Sequence, residues 1–443
     1  MEDSYDYDVI VIGGGPGGST AGALLAERGW CVAVLEKDRH PRFHIGESLL
    51  PQNNALFERL GVLEEVERIS MIKRGAQFSS MYHNKEQTFY FANALDKDWP
   101  YGFEVHRSEL DQLLFENARR RGARMYEETR VVRAEFDAAG VTVGIRTDAG
   151  ERDLRARFLI DASGRDTFLG NKLKLKQAHR KHASAAIYGH YRNAQRLPGE
   201  DAGNITIYWF DHGWFWFIPQ THDITSVGAV CWPYYLKQRK GSLEDFLDAT
   251  VAMVPALAER LRDAQRIAPV TATGNYSYEC RRAIGARHLM VGDAFAFVDP
   301  VFSTGVYLAM SSAFRAADTV EECLRRPEKA AAALTQYERG LRRSIATFSW
   351  FIFRITTPAM RELLLNPRNV LRVEEAMVSL LAGDIYRANG VRWRIGFFKL
   401  VYYLTSLRRP RMAWAAARRR RQIIRPVGLQ TDAASMEAGG SKG

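Results

Sequence analysis

The N-terminal segment contains the pattern that most constrains how this chain can fold. A β-branched, apolar run over residues 8–12 predicts a strand buried on both faces of a parallel sheet. A glycine-rich turn follows at once, then a predicted helix over residues 19–28 and a second strand over residues 31–36. A helix N-terminus beside a glycine turn favours a bound pyrophosphate, so this βαβ unit predicts a dinucleotide-binding fold.

The glycine turn contains a spaced triplet whose members have separate physical roles. Gly13 permits the tight turn, Gly15 lets the backbone approach the pyrophosphate, and Gly18 allows close packing of helix and strand. Glu36 ends the second strand about twenty residues later and is predicted to accept hydrogen bonds from ribose hydroxyls. Because strand, triplet, helix and acid agree, a nucleotide site is favoured over a glycine turn without a ligand.

Three later segments resemble the two-domain flavoprotein family that includes the aromatic hydroxylases. Gly292-Asp293 follows an apolar strand, Arg107 begins a predicted helix, and residues 161–164 end another strand. The resemblance implies that FAD is the cofactor, with Asp293 at the ribityl chain and Arg107 near the flavin. Since no second glycine triplet offers a nicotinamide site, reduced flavin is expected from a separate flavin reductase.

The string Trp214-Phe-Trp216-Phe-Ile218-Pro219 is the most specific in the chain. Two tryptophans spaced by two on a strand share one face, and on pattern alone an aromatic stripe in a sheet core is favoured. Trp-x-Trp-x-Ile-Pro also resembles the signature of flavin-dependent halogenases. The resemblance implies a wall beside the flavin that keeps substrate away from the flavin hydroperoxide.

A second resemblance to the halogenases lies in residues 297–305, with their spaced Phe, Pro, Ser and Gly. A helix beginning near Thr304 would direct free N–H groups at the flavin edge, where a halide could bind. The resemblance implies halide binding by the backbone of Thr304 and Gly305, with Phe302 in the aromatic wall. Ordinary flavin packing, which hydroxylases also show, remains the alternative.

The third resemblance concerns a lysine. Residues 46–51 resemble a halogenase segment near the isoalloxazine, and Lys73 falls where the family places its catalytic lysine. An ammonium can polarise hypohalous acid and a neutral amine can hold the halogen, and burial lowers a lysine pKa. Arg74 stays protonated and is the poorer candidate. Together the three motifs resemble the phenol- and pyrrole-acting branch more than the tryptophan-acting branch, whose catalytic glutamate maps to no residue here.

The predicted cofactor contacts all lie within these motifs, and they are Gly13, Gly15, Gly17, Gly18, Glu36, Lys37, Glu47, Ser48, Arg107, Asp293, Pro300 and Gly305. Lys73 is the predicted catalytic residue. Cys31, Cys231, Cys280 and Cys323 lack metal-ligand spacing, so no metal site is predicted and free thiols in the cytoplasm are expected. The acidic start indicates no signal peptide, and no apolar run is long enough to span a membrane.

The basic residues are concentrated near the C-terminus. The net charge is +11, and residues 385–431 hold twelve Lys or Arg and no acid, so the rest of the chain is nearly neutral. Three interpretations remain open: a helical lid with a solvated basic end, a docking surface for an acidic carrier protein that presents the substrate, and a membrane-surface helix. Nucleic acid binding is disfavoured because no recognition fold accompanies the charge.

The sequence therefore predicts an α/β fold with a Rossmann-like FAD-binding domain, a parallel sheet, an antiparallel substrate-side sheet and a helical C-terminal region. Single helices are predicted over residues 242–266 and 309–343, and a hairpin over 131–154 is followed by a strand over 158–161. The predicted domains are residues 1–75 with 102–170 and 275–345, residues 76–101 with 171–274, residues 346–429, and a disordered tail over 430–443.

The predicted activity is halogenation of an electron-rich phenol or pyrrole, free or carrier-tethered, in natural-product and antibiotic biosynthesis. FADH2, oxygen and chloride or bromide would give hypohalous acid, which Lys73 relays to the substrate. Two alternatives remain: an FAD-dependent monooxygenase or isoprenoid-reductase-like flavoprotein, and a non-catalytic flavoprotein that uses its basic end as an interaction surface.

Overall fold

The computed structural model describes residues 4–179, 182–274, 277–385 and 390–408, together with Trp414 and Arg418. The strands of the described part are β1 (Tyr7–Ile12), β2 (Val32–Leu35), β3 (Ser70–Lys73), β4 (Gly75–Ser80), β5 (Lys85–Tyr90), β6 (Gly102–Val105), β7 (Arg124–Tyr126), β8 (Arg130–Phe136), β9 (Val141–Thr147), β10 (Gly150–Asp161), β11 (Lys176–Ala178), β12 (Ala185–Arg192), β13 (Ile205–Phe210), β14 (Gly213–Pro219), β15 (Ile224–Cys231), β16 (Gln265–Arg266), β17 (Thr271–Thr273), β18 (Tyr278–Cys280), β19 (Ile284–Gly285), β20 (His288–Met290) and β21 (Ala296–Phe297). Its α-helices are α1 (Pro16–Glu27), α2 (Gln52–Arg59), α3 (Leu63–Arg68), α4 (Arg107–Arg120), α5 (Phe168–Lys172), α6 (Pro233–Leu236), α7 (Leu243–Val251), α8 (Pro255–Arg260), α9 (Thr304–Arg325), α10 (Ala330–Ile352), α11 (Pro358–Leu365), α12 (Val373–Leu381) and α13 (Val391–Arg408).

The first large sheet has a parallel centre in the order β7-β2-β1-β10-β20. Strands β8, β9 and β19 extend it with antiparallel pairs. The helices α1 and α9 pack against each other beside this sheet, and α4 packs on α1. The β-branched residues of β1 and β2 are buried, as expected for strands covered on both faces. The α/β fold class is confirmed.

The second large sheet has the order β16-β12-β15-β14-β13-β4-β5, with β17 beside β12. All of its pairs are antiparallel except the parallel pair β13 and β4. Alternation along β14 gives the sheet two apolar faces. Trp214 and Trp216 pack in a cluster with the C-terminal helices, whereas Phe215 and Phe217 pack in another with α7 and α8.

Two helices and one strand differ from the sequence predictions. The single helix over 242–266 was wrong, because Pro255 begins a separate helix, α8, after the non-helical residue Val254. The single helix over 309–343 was wrong for the same reason, since α9 ends before Pro327 and α10 follows. The predicted hairpin and the strand after it are three consecutive strands, and the last of them, β10, runs unbroken through both predicted segments.

A short antiparallel pair, β3 with β6, places Lys73 opposite Gly102. After α10, the helices α11, α12 and α13 pack together, with α12 and α13 in the most extensive contact. Among the described helices, none is both long and apolar enough to cross a bilayer. The predicted tail over 430–443 lies outside the described residues.

Candidate active site

A cavity of about 760 Å³ lies between the two large sheets. One wall includes Ile12, Leu35 and Val291, which lie where the parallel strands end. The opposite wall is formed by residues of β12, β13 and β14. Ligands of open parallel sheets bind at the carboxyl ends of the strands, which is where this cavity lies. The predicted site residues that line it are Gly13, Gly15, Gly17, Glu36, Lys37, Glu47, Ser48, Arg107, Trp214, Trp216, Asp293, Pro300 and Gly305.

The glycine turn leaves open space in front of its backbone at one position. A Cβ at Gly18 would lie 1.8 Å from the carbonyl oxygen of Gly13, and Gly13 itself has φ +97. A Cβ at Gly15 would meet only the Arg42 guanidinium, at 3.6 Å. Gly15 lines the cavity and caps the N-terminus of α1, where N–H groups favour an anion. The turn therefore fits a pyrophosphate group.

Glu36 is buried at the cavity wall and is held in place by the backbone. Its Oε2 accepts a hydrogen bond from the Gly14 N–H at 2.8 Å, and its Oε1 accepts one from the Asp38 N–H at 3.0 Å. Arg42 also donates to Glu36, at 3.3 Å. The carboxylate is thereby fixed beside the glycine turn, where the ribose of a dinucleotide would lie.

Arg107 and Asp293 line the cavity in different electrostatic surroundings. Arg107 donates to both oxygens of Asp111, at 2.9 and 3.0 Å, and to the carbonyl of Ile45 at 3.0 Å. It therefore holds the segment that leads to Glu47 and Ser48. Burial raises the pKa of Asp293 to about 6, against the opposing charges of Arg165 and Arg107. A partly buried carboxyl group that lines the cavity fits a polar ligand such as a ribityl chain.

Lys73 is buried behind the cavity wall and does not line it. Only 1% of the residue is exposed, and its Nζ donates to Ser48 Oγ at 2.9 Å. The Nζ also lies 5.5 Å from the centre of the Phe91 ring. Burial lowers the pKa of Lys73, while the charge of Glu104 opposes that change. Ser48, which does line the cavity, is thus the link between the predicted catalytic amine and the predicted cofactor site.

Glu104 is a buried acid that the sequence analysis missed. It lies on β6 and forms an isolated antiparallel β-bridge with Ser48 through the backbone. Its Oε1 accepts a hydrogen bond from Ser48 Oγ at 3.2 Å. Burial raises its pKa to about 8, although the Lys73 charge and the Ser48 hydrogen bond lower it. The one signal in the sequence is a glutamate between Phe103 and Val105 in an apolar strand.

A second buried pair joins the two walls of the cavity. Glu47 Oε1 lies 2.6 Å from His190 Nε2 of β12. Burial alone would raise the pKa of Glu47, but the hydrogen bond and charge of His190 lower it overall. Burial likewise opposes charge on His190, yet the Glu47 carboxylate raises its pKa. Each partner therefore favours the charged form of the other across the cavity wall.

The two predicted wall tryptophans share a face, as their spacing predicts. Their ring centres are 6.1 Å apart, and both line the cavity. Trp216 Nε1 donates to Ser226 Oγ at 3.0 Å, which fixes the indole. Phe302 lies outside the cavity lining and packs edge-on against Phe351 of α10.

The predicted halide loop turns sharply into α9. Ser303 has φ +54, and the helix begins at Thr304, as the sequence predicts. Gly305 lines the cavity, and a Cβ there would meet no atom within 4 Å, whereas Thr304 is buried outside the lining. Asp299 fixes the loop by accepting hydrogen bonds from the Val301 N–H and the Ser184 hydroxyl.

The remaining predicted residues form no second site in the described part of the chain. Gly18 lies behind the glycine turn, and Lys37 lines the cavity while paired with Asp166 at 2.5 Å. The described residues include no cluster of side chains suited to a metal ion. All four cysteines are free thiols.

Comparisons with known proteins match this chain to a cofactor-binding domain and to a halogenating enzyme. The family model for the FAD binding domain matches residues 6–347. The 1H-pyrrole-2-carbonyl-[peptidyl-carrier protein] chlorinase of Pseudomonas fluorescens is 30% identical, over 86% of this chain and 90% of that protein.

Solved structures give the same picture. The myxobacterial chondrochloren halogenase, a FAD-dependent enzyme, is 32% identical with a TM-score of 0.75, over 90% of this chain and 96% of that one. A flavoprotein/dehydrogenase from Cytophaga hutchinsonii is 26% identical with a TM-score of 0.83, over 90% and 99%.

The parallel sheet, the glycine turn and the cavity at the carboxyl edge define a FAD-binding oxidoreductase. The identity shared along most of the chain is with halogenating enzymes of that class. The chain belongs to the flavin-dependent halogenase family.

Proposed function

We propose that this enzyme installs chlorine or bromine on an electron-rich pyrrole or phenol presented by a carrier protein. The observation that carries the proposal is the hydrogen bond from buried Lys73 to Ser48, because Ser48 lines the cavity proposed for FAD. Bound FADH2, resupplied by a separate reductase, would generate hypohalous acid from oxygen and halide. The protein then has to move that reagent to the substrate without letting it escape.

The predicted site residues have distinct roles in this scheme. Gly15 and the N-terminus of α1 would hold the pyrophosphate, Glu36 would hold the ribose, and Asp293 would hold the ribityl chain. The rigid indoles of Trp214 and Trp216 separate substrate from flavin. Lys73 would receive the halogen as a neutral amine, the form that burial favours by lowering the pKa of Lys73.

The relative from Pseudomonas fluorescens is named for a pyrrole group on a peptidyl carrier protein, which supports a carrier-tethered substrate. Described basic residues of the C-terminal region, among them Arg392, Arg394 and Arg408, suit the docking of an acidic carrier. Ile395 and Phe398 of α13 pack in the same apolar cluster as the wall tryptophans, which supports a helical lid. Most of the basic run from residue 409 onward lies outside the described residues.

A second candidate function is supported by one specific observation, the high TM-score with a flavoprotein/dehydrogenase. A FAD-dependent monooxygenase or reductase would use the same glycine turn and cavity. It would give the buried lysine and the paired tryptophans no role. Such an enzyme would oxidise a nicotinamide cofactor directly, without an added flavin reductase.

The deciding experiment supplies the purified protein with FAD, a flavin reductase, oxygen and either bromide or chloride. Phenols and pyrroles are offered free and carrier-tethered, and products are identified by mass spectrometry. Halogenated product that requires both halide and reductase is the expected result. Hydroxylated product, or turnover that continues without halide, would contradict the proposal, and a reaction without reductase is the control.

The halide site gives a further prediction. Gly305→Ala places a methyl group in open space at the start of α9, so the fold should be retained. We expect the KM for halide to rise about tenfold, equivalent to about 1.4 kcal/mol, because the methyl group occupies the space in front of the helix N-terminus. The measurement is halogenation rate against halide concentration. Gly396→Ala on α13, which also adds a methyl group in open space, is the matched control. An unchanged halide KM would exclude this site.

A further inference from the structure

Three side chains form an unbroken hydrogen-bonded line behind the cavity wall. Lys73 Nζ donates to Ser48 Oγ at 2.9 Å, and Ser48 Oγ donates to Glu104 Oε1 at 3.2 Å. Among the described residues, no direct ion pair joins Lys73 to Glu104, so the serine hydroxyl lies between the base and the acid. Such a line can carry a proton in either direction.

The surroundings of this line disfavour separate charges. At most 5% of Lys73, Ser48 or Glu104 is exposed, and Glu104 Oε2 has no hydrogen-bond partner in the described part of the chain. The nearby titratable groups are Glu47, which adjoins Ser48, and His190, which pairs with Glu47 from β12. Because Glu47 and His190 are paired with each other, Glu104 is the buried acid left to neutralise Lys73.

We propose that Ser48 relays a proton from Lys73 to Glu104, so that Glu104 holds the proton while Lys73 acts as a neutral amine. Glu104 does not line the cavity and acts through Lys73, which makes it a positioning residue. The relay rests on the role proposed above for Lys73. It assigns a function to an acid that the proposed function does not use.

The transfer is balanced and needs no other reagent. One N–H bond of the Lys73 ammonium breaks as an O–H bond forms on Ser48, and the original Ser48 O–H bond breaks as one forms on Glu104. An ion pair becomes a neutral amine and a neutral carboxylic acid. Burial favours the neutral pair, since it raises the pKa of Glu104 to about 8 and lowers that of Lys73.

The first test needs no substrate or flavin. The full-length protein is labelled with [ε-¹³C]lysine, the Lys73 signal is assigned with Lys73→Arg, and its titration is followed by NMR. The infrared band of a protonated carboxylic acid is followed in parallel. We expect both signals to titrate together in the parent protein. Glu104→Gln should remove the infrared band and shift the Lys73 titration, because the shared proton then has no carboxylate to move to.

The second test is a double-variant cycle on halogenation rate. Glu104→Gln and Ser48→Ala should each lower kcat about 10²-fold, and the double variant should be no slower than either. Ser48→Thr keeps the hydroxyl and should restore the rate. Glu86→Gln and Ser344→Ala lie outside the line and serve as matched controls.

The two tests have separate outcomes. A Lys73 titration that Glu104→Gln leaves unchanged, or losses that add in the double variant, would overturn the relay. If the parent protein does not halogenate but the coupled titration is observed, the proposed function fails and the relay stands. Glutamine keeps the shape of Glu104 and can still accept a hydrogen bond from Ser48. If Glu104→Gln does not fold, Ser48→Ala tests the relay independently.

Discussion

Replacing Lys73 with methionine is expected to lower halogenated product about 10³-fold while flavin binding continues. Methionine matches the length of lysine but cannot polarise hypohalous acid or hold the halogen. Lys73 lies behind Ser48 and outside the cavity lining, so the pocket proposed for FAD should keep its shape. The measurements are product by mass spectrometry, flavin affinity by fluorescence, and free hypohalite by a chemical trap.

Arginine at this position separates the two roles open to the lysine. If a cation only polarises the reagent, Lys73→Arg should keep part of the activity. If a neutral amine must hold the halogen, Lys73→Arg should be as inactive as the methionine variant, because guanidinium stays protonated. Lys85→Met, at an exposed lysine, is the matched control. Full activity in Lys73→Met would remove this residue from the reaction.

The sequence predicted the local parts of the fold well, because their signals lie close together in the chain. The βαβ unit around Gly13 and the start of α9 at Thr304 each follow from neighbouring residues. The face shared by Trp214 and Trp216 follows from strand alternation alone. The helix breaks were missed although Pro255 and Pro327 mark them, since helical periodicity was given more weight than the prolines.

Contacts between distant segments of the chain could not be predicted from the sequence. Glu104 approaches Lys73 because β3 pairs with β6, and Ser48 forms a backbone bridge to Glu104 while its hydroxyl accepts from Lys73. The pairing of Glu47 with His190 depends on how the second sheet packs over the first. No spacing in a single sequence encodes these distances. For the same reason Lys73 could be singled out by family resemblance, while its burial and its link to the cavity could not.

The glycine turn offers the other large effect. Gly15→Val is expected to weaken FAD binding at least about 10²-fold, a loss of roughly 2.7 kcal/mol, while the fold stays intact. Gly15 has φ −74 and ψ −173, which a β-branched residue also adopts, and its Cβ would meet only the Arg42 guanidinium, at an ordinary contact distance of 3.6 Å. The added methyl groups would occupy the space that the pyrophosphate needs. Flavin titration and thermal unfolding of the apoprotein measure the two quantities separately.

Gly18→Ala is the contrasting variant within the same motif. Its Cβ would lie 1.8 Å from the Gly13 carbonyl oxygen, so the turn or α1 must move. Overpacking of this kind costs about 1–3 kcal/mol of folding free energy, so the melting temperature of the apoprotein should fall before any flavin is added. Gly15→Val should instead melt like the parent protein when both lack FAD. If the two variants lose stability equally, Gly15 has a structural role and the open space in front of it is not the pyrophosphate site.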